Sequence, residues 1–258
     1  MRQPLAHRSS GGQTRGSTMP SNELDPGPYF AELARRLVAL RTVEETMTAI
    51  VYAAVEVTGC DHASLSYLRG KELVSASSND EVGELLDAIQ TTTQQGPCID
   101  AIRTGEVMVV DDLTDDRRYT SYGPRAVEAT GVRSSLGAPL NDGHRTIGAL
   151  NLFSDQPRTF AREPTQEALI AILTAHAAAA LAAALYRQNM EEALRNRDLI
   201  GQAKGILMAR LRLTDEQAFD LLVDASQRMN VKLTHVARQI VDGTLPTPPG
   251  HTNLGGRA

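Results

Sequence analysis

A long run of helical periodicity in the C-terminal half of the chain most constrains the fold. It begins near Pro164 and Thr165 and continues to about Arg212. The residues that keep its near-heptad spacing are Leu169, Ile172, Leu173, His176, Ala180, Ala184, Met190 and Leu194. An unbroken helix of this length is roughly 70 Å long at about 1.5 Å per residue. One small domain cannot bury such a stripe, so the pattern favours pairing with a second copy of the chain.

Short strands and helices alternate through the first 160 residues. Apolar spacing of three and four predicts a helix from Tyr29 to Thr58, with Gly59 as its stop. Further helices are predicted at 81–92, 97–104 and 126–129, and strands at 62–68, 73–76, 107–110, 133–140 and 146–153. The residues between the last two strands read AsnAspGlyHis, which is typical of a hairpin. This order predicts an α+β domain, with an antiparallel sheet and flanking helices.

Two more helices are predicted after the long one. Thr214 begins the first, with AspGluGln as a capping signature. A break at MetAsnValLys separates it from a last helix that stops at Gly243. The C-terminal part of the chain is therefore predicted to be all helical.

Composition and charge limit the classes of function. The 258 residues carry a net charge of −5, so the whole protein is not a basic nucleic-acid binder. The segment 194–248 holds eight Lys/Arg and six Asp/Glu and is mildly basic. The two cysteines have no metal-ligand spacing, which argues against a zinc site or a disulfide framework. We expect no membrane-spanning stretch and no signal peptide, and hence a cytoplasmic protein.

The C-terminal residues resemble the ANTAR domain of bacterial transcription antiterminators. The resemblance lies in AlaLysGlyIleLeuMet (203–208), ThrAspGluGlnAlaPhe (214–219) and AsnValLysLeuThrHisValAla (230–237). It implies a three-helix RNA-binding domain that joins the long, coiled-coil-like linker helix.

Residues 29 to about 186 resemble a GAF domain, a sensor module. The resemblance rests on 95–105, on 110–119, on GlyAlaProLeu and on IleGlyAlaLeuAsnLeuPhe. The two resemblances together imply a GAF–ANTAR regulator that is not an enzyme. Its expected parts are a disordered tail (1–27), the GAF domain (28–186), the ANTAR domain (187–246) and a flexible tail (247–258).

Candidate RNA-binding residues cluster around the last two helices. Arg228, Lys232 and Arg238 are expected to form one basic patch, and uncharged hydrogen-bonding groups lie near it. The full set of candidates is Lys204, Arg210, Ser226, Arg228, Asn230, Lys232, Thr234 and Arg238. This mixture suits a structured RNA loop, whose unstacked bases can be read. A solvated helix face would give the same pattern, and the resemblance favours RNA.

The GAF resemblance also implies a cavity for an unidentified small molecule. Its expected lining is Asp112, Arg118, Tyr122, Leu136 and Asn151. The cyclic-nucleotide signature of some GAF domains is incomplete after Asn151, and the cofactor, if any, stays unknown. Cys98 is expected to be a buried structural thiol, His176 a core or interface residue, and the Asp pairs at 111–112 and 115–116 solvated or capping groups.

The expected partners are structured leader RNA, a second copy of the chain and RNA polymerase. Two other functions stay open on the sequence. The last two helices could form a DNA-binding helix-turn-helix, although the recognition helix would present few base-reading side chains. Alternatively, the chain could be a small-molecule or redox sensor whose helices only dock proteins.

Overall fold

The computed structural model describes residues 25–70, 72–160 and 163–244. Eight helices and five strands occur in that part of the chain. The helices are α1 (Pro26–Ala39), α2 (Val43–Thr58), α3 (Glu81–Thr93), α4 (Pro97–Thr104), α5 (Gly123–Thr130), α6 (Pro164–Leu211), α7 (Asp215–Met229) and α8 (Leu233–Val241). The strands are β1 (His62–Arg69), β2 (Glu72–Ser78), β3 (Met108–Val110), β4 (Ser134–Asn141) and β5 (Thr146–Ser154). The predicted tails lie almost entirely outside the described residues, and α1 already begins at Pro26.

The five strands form one antiparallel sheet in the order β2-β1-β5-β4-β3. The predicted hairpin joins β4 to β5. Its turn is held by the Asp142 carboxylate, which accepts hydrogen bonds from the backbone N–H groups of His144 (2.9 Å) and Arg145 (3.0 Å). Gly143 has a φ of 93°, a conformation that glycine adopts without strain. The α+β prediction is confirmed.

Helices cover both faces of the sheet. Leu150 and Leu152 of β5 point toward α2 and α6 and belong to the main apolar core. Phe153 points the other way, into a second cluster that α3 and α5 help to form. This alternation follows from the two-residue period of a strand, which sends successive side chains to opposite faces.

The helix predicted over 29–58 is in fact two helices. The chain leaves the helical conformation at Leu40, and Thr42 caps the new helix α2. The Thr42 hydroxyl accepts from the backbone N–H of Glu45 (3.1 Å), and the Glu45 carboxylate accepts from the backbone N–H of Thr42 (3.1 Å). This reciprocal capping favours a new helix start over continued periodicity. Arg187 of α6 donates a hydrogen bond to the carbonyl of Leu40 (3.1 Å) and ties α6 to this junction.

Helix α6 is continuous over 48 residues, as the long periodicity predicts. Its first half packs into the sheet domain as far as Ala184, and its next buried residue is Leu199. Between these two positions no residue of α6 is fully buried. Three large apolar side chains in this stretch are strongly exposed: Tyr186 (66%), Met190 (44%) and Leu194 (52%). The two halves of α6 therefore belong to two separate cores.

The second core is a three-helix assembly. Leu199, Ala203 and Leu207 lie one turn apart on α6 and are buried. They pack with Ala218 and Leu222 of α7 and with Val236 and Ala237 of α8. Thr214 caps α7, and its hydroxyl accepts from the backbone N–H of Gln217. The predicted helical C-terminal domain is confirmed.

The expectation of no membrane-length apolar stretch is wrong for α6. A window within this helix is long and apolar enough to cross a membrane by length and composition, and 33% of it is buried inside the chain. The alanine-rich run around Ala175–Ala184 accounts for this property. The buried side chains in this run, among them Ala177, Ala178 and Leu181, pack into the sheet domain. One side of this half of α6 therefore belongs to the core of the sheet domain.

The two capping threonines provide a test of the fold. Thr42→Ala and Thr214→Ala each remove a side-chain cap, and each should lower the free energy of unfolding of its own domain by about 1 kcal/mol. The control is Thr165→Ala, an exposed position whose side chain makes no hydrogen bond within the described residues. Urea unfolding of each variant measures the effect. Capping variants as silent as the Thr165 variant would contradict the two helix starts.

Candidate functional site

The turn between α7 and α8 has a fixed shape. Asn230 ends α7 with a φ of 50°, and its backbone N–H bonds to the carbonyls of Gln227 and Ser226. The Ser226 hydroxyl donates to the carbonyl of Val231 (2.6 Å) and closes the turn. Ser226, a candidate for RNA contact, therefore already has a structural partner. The turn presents the side chains on either side of it from a rigid base.

Two of the three expected basic-patch residues flank this turn, and the third lies farther along α8. Arg228 lies in the last turn of α7, Lys232 is the residue before α8, and Arg238 lies in the last turn of α8. All three are exposed, and none makes an ion pair with another described residue. Val236 and Ala237 of α8 are buried, so Arg238 stands on the opposite, solvent-facing side of that helix. The basic patch, defined as Arg228, Lys232 and Arg238, is thus free to bind an anion.

The remaining candidates divide between the turn and a distant site. Asn230 is exposed beside the basic patch, and Thr234 is half-buried in the first turn of α8. Lys204 is elsewhere, because its ammonium pairs with the carboxylate of Asp215 at the opposite end of α7. Helix α7 is about 20 Å long at 1.5 Å per residue, and this length separates Lys204 from Arg228 at its other end. Arg210 is exposed in the last turn of α6.

A buried polar cluster lies between the sheet and α3. The carboxylate of Asp87 on α3 accepts hydrogen bonds from the hydroxyls of Ser64 (2.9 Å) and Ser66 (3.1 Å). It also accepts from the side-chain amide of Asn151 (3.0 Å). All four residues are almost fully buried. A buried carboxylate is costly unless its oxygens are hydrogen-bonded, so this network fixes α3 against β1 and β5.

The thiol of Cys98 lies beside this cluster, at the start of α4, and is buried as expected. Burial, and after it the nearby charge of Asp87, raise the pKa of the Cys98 thiol above its ordinary value. The thiol is therefore uncharged at neutral pH, and an uncharged buried thiol is a poor nucleophile. Burial likewise raises the pKa of the Tyr122 hydroxyl well above its ordinary value.

The five side chains expected to line one cavity do not come together. Tyr122 and Asn151 lie on the α3–α5 side of the sheet and are fully buried. Leu136 points to the opposite face, because its strand neighbour Gly137 is the residue that packs against α4. Leu136 lines a different cleft of about 620 Å³, between β4 and residues such as Ile170 of α6.

The other two candidate ligand residues lie in the loop after β3 and are already paired. Asp112 pairs with Arg133, and Arg118 pairs with Asp116. The hydrogen bond from Arg133 holds the pKa of the Asp112 carboxyl well below its ordinary range. Asp112 also accepts hydrogen bonds from the backbone N–H and the hydroxyl of Thr114, which fits the expected capping role.

His176 of α6, expected to be a core or interface residue, is half-buried and packs against α1. Its ring stacks on Phe30 of α1, with 5.5 Å between the ring centroids and 27° between the planes. Its Nδ1 lies 2.8 Å from the carbonyl oxygen of Ile172. The histidine therefore helps to hold α1 against α6.

Two residues of interest escape the sequence analysis. Asp87 looks like one more surface acid of a helix, and only the sheet partners beneath it reveal its burial. Phe219 reads as part of a motif, yet its ring is 40% exposed on α7. The signal that could have found Phe219 is its place directly after the buried Ala218, on a helix whose apolar stripe is narrow.

Comparisons with known proteins agree with the two-part architecture. A family model of the GAF domain matches residues 41–182, and a model of the ANTAR domain matches residues 188–241. The first lies on the sheet domain and the second on the three-helix domain. No curated protein matches the chain.

Several solved structures are similar to the sheet domain. The GAF domain of a phosphoenolpyruvate-protein phosphotransferase from Coxiella burnetii is 17% identical, with a TM-score of 0.51, over 66% of this chain and 99% of that one. The GAF domain of the corresponding Acinetobacter protein is 15% identical, with a TM-score of 0.49, over 65% and 97%. A free methionine-R-sulfoxide reductase from Neisseria meningitidis is 16% identical, with a TM-score of 0.47, over 61% and 88%.

GAF is a sensor domain, and ANTAR is an RNA-binding domain of transcription antitermination. Both are regulatory in kind. Since the GAF model matches more than half of the chain and the ANTAR model follows it directly, the chain belongs to the GAF family and is a GAF–ANTAR regulator.

Proposed function

We propose that this protein is a transcription antitermination regulator that binds stem-loops in nascent RNA under the control of its GAF domain. The observation that carries the proposal is the basic patch, three exposed cations without ion pairs among the described residues, on α7, α8 and the turn between them. Phosphate groups are the natural partners of such cations. The exposed Asn230 beside them adds a group that can read a base edge.

The distribution of charge along the chain supports the same assignment. Several exposed arginines of the GAF domain are already paired, for example Arg35 with Glu32 and Arg69 with Glu72. The basic patch lies in the mildly basic segment 194–248 of a protein whose net charge is −5. We propose RNA polymerase as a further partner, because antitermination acts on a polymerase in the course of transcription. We also propose that the protein acts in the cytoplasm.

For the division of labour we propose a GAF domain over 28–186 and an ANTAR domain over 187–246. The bare stretch of α6 between its two buried halves supports this boundary. Because α6 contributes to both cores without a break, a shift of the helix in the GAF domain also moves the base of the ANTAR domain. For the small-molecule ligand of the GAF domain we propose the side of the sheet that holds Tyr122 and Asn151, where buried polar groups converge.

We further propose a homodimer through α6. Tyr186, Met190 and Leu194 follow one another at four-residue spacing on a bare helix, and large apolar side chains in such a row are a typical seam of paired helices.

The first prediction concerns the basic patch. Replacing Arg228, Lys232 and Arg238 together by alanine should weaken RNA binding and reduce its salt slope by about 1 for each phosphate that is no longer neutralised. Folding should change little, by less than about 0.5 kcal/mol, because the three side chains are exposed. Affinity is measured at two salt concentrations, with RNA recovered by crosslinking the protein to cellular RNA, and a thermal melt accompanies each variant.

Two controls frame this measurement. Arg35→Ala with Arg69→Ala removes exposed arginines of the GAF domain and should leave RNA affinity unchanged. Val236→Ala removes a buried side chain and should lower the free energy of unfolding by about 1 to 3 kcal/mol. Unchanged affinity and salt slope in the triple variant would place the RNA surface elsewhere. Tighter binding to duplex DNA of the same sequence would favour the helix-turn-helix function instead.

The second prediction concerns the dimer. Light scattering of the whole chain should give a mass of two copies that holds over a range of concentrations. Met190→Lys with Leu194→Lys should yield monomers, since charge is unfavourable in an apolar seam. Leu85→Lys is a matched control, because Leu85 of α3 is 44% exposed but lies outside α6. A monomeric wild-type protein at micromolar concentration would refute the proposal.

A further inference from the structure

A groove runs between α6 and the first half of α7, away from the basic patch. Its volume is about 820 Å³. The α6 side includes Asn196, Arg197, Gly201 and Lys204, and α7 contributes Phe219. The groove thus combines two amides (Asn196 and Gln202), two cations, the carboxylate of Asp198 and one aromatic ring, and Ala193 and Ile200 complete its lining.

The ring of Phe219 is held in place. The Lys204 ammonium lies 5.9 Å from the ring centroid. The same ammonium contacts both carboxylate oxygens of Asp215, at 2.6 and 2.7 Å. Because Lys204 is already paired with Asp215, its role here is to position the ring rather than to bind a phosphate. The 40% exposure of the ring leaves part of its surface open to the groove.

Gly201 forms part of the opposite wall. A Cβ atom at this position would meet no other atom within 4 Å. The chain's own packing therefore does not require glycine there, although glycine is among the least favourable residues inside a helix. A missing side chain at an open position gives a flat partner close access to the helix backbone.

We propose that this groove binds an unstacked RNA base, which stacks on Phe219 with its edge toward Gly201 and Asn196. This inference rests on the proposed RNA-binding function and adds a second contact region to the basic patch. Bases stack on exposed aromatic rings in single-stranded recognition, and amide side chains can pair with their edges. Arg197, exposed on the rim, faces the position of the adjoining phosphate or sugar.

A second copy of the chain is the competing occupant, since two α6 helices could meet at a glycine. The groove suits a base better than a helix. A helix–helix seam calls for a continued row of Leu, Ile or Ala. Only Ala193 and Ile200 are of this kind here, whereas five of the nine lining residues are charged or amide groups.

The test uses synthetic RNA hairpins with a constant stem and a randomised loop, and the same stem as a closed duplex. Phe219→Leu in the full chain should weaken hairpin binding about tenfold, the loss expected for one stacked base. Phe219→Tyr keeps the aromatic face and should bind like wild type. The salt slope should not change, because stacking involves no phosphate contact. Affinity for the closed duplex should also stay the same.

Gly201→Ala gives an independent test, in which hairpin affinity and thermal stability should not fall together. It should lower hairpin affinity while the melting temperature stays equal or rises, because alanine favours the helix. Tyr52→Leu, at an exposed aromatic of α2, is the matched control and should have no effect on binding.

The outcomes separate the two proposals. If wild type and the Phe219→Leu variant bind the hairpins equally, the base site is refuted and the RNA-binding function stands. A Gly201→Ala variant with altered oligomeric mass and unchanged hairpin affinity would assign the groove to a second copy. A wild-type protein without hairpin affinity would overturn both proposals.

Discussion

The continuity of α6 is the constraint on which the rest of the structure depends. One ladder of backbone hydrogen bonds runs through a helix that buries Ala184 in the GAF core and Leu199 in the ANTAR core. At about 100° per residue these two positions differ in direction by about 60°. Leu181 of the GAF core and Leu199 are about five full turns apart and point the same way, so the buried faces of the two halves overlap. A rotation of either domain about the helix axis is therefore passed to the other.

The two domains use charge in different ways. In the GAF domain, several polar and charged groups pair with one another, as in the network around Asp87 and the pair of Asp112 with Arg133. In the ANTAR domain, Lys204 has its partner Asp215, but the basic patch has none among the described residues. Internal pairing fixes the architecture of the sensor, while the unpaired cations leave binding energy for a partner outside the chain.

Local sequence signals predicted much of the fold. The long periodicity predicted α6 almost to the residue, and the capping signature at Thr214 predicted the start of α7. The same type of signal at Thr42 was present, but continuous apolar spacing on both sides concealed the break between α1 and α2. The lining of the candidate ligand site was predicted less well than the fold. Residues far apart in the chain share a cavity only if the strand register places their side chains on the same face of the sheet. Leu136 of β4 pairs with Leu152 of β5, and Asn151 is the residue before Leu152. Because successive residues of a strand face opposite sides, Leu136 and Asn151 lie on opposite faces of the sheet.

The pairing of β1 with β5 also bears on how the protein is made. His62 lies opposite Phe153, so the centre of the sheet closes only after some ninety intervening residues have been synthesised. The ANTAR core, in contrast, joins three helices that follow one another in the chain. Long-range pairing slows folding, whereas local helical contacts form quickly. During synthesis, the GAF domain therefore cannot complete its fold until α6 has been made. The ANTAR domain is made last, and it can fold soon after it leaves the ribosome.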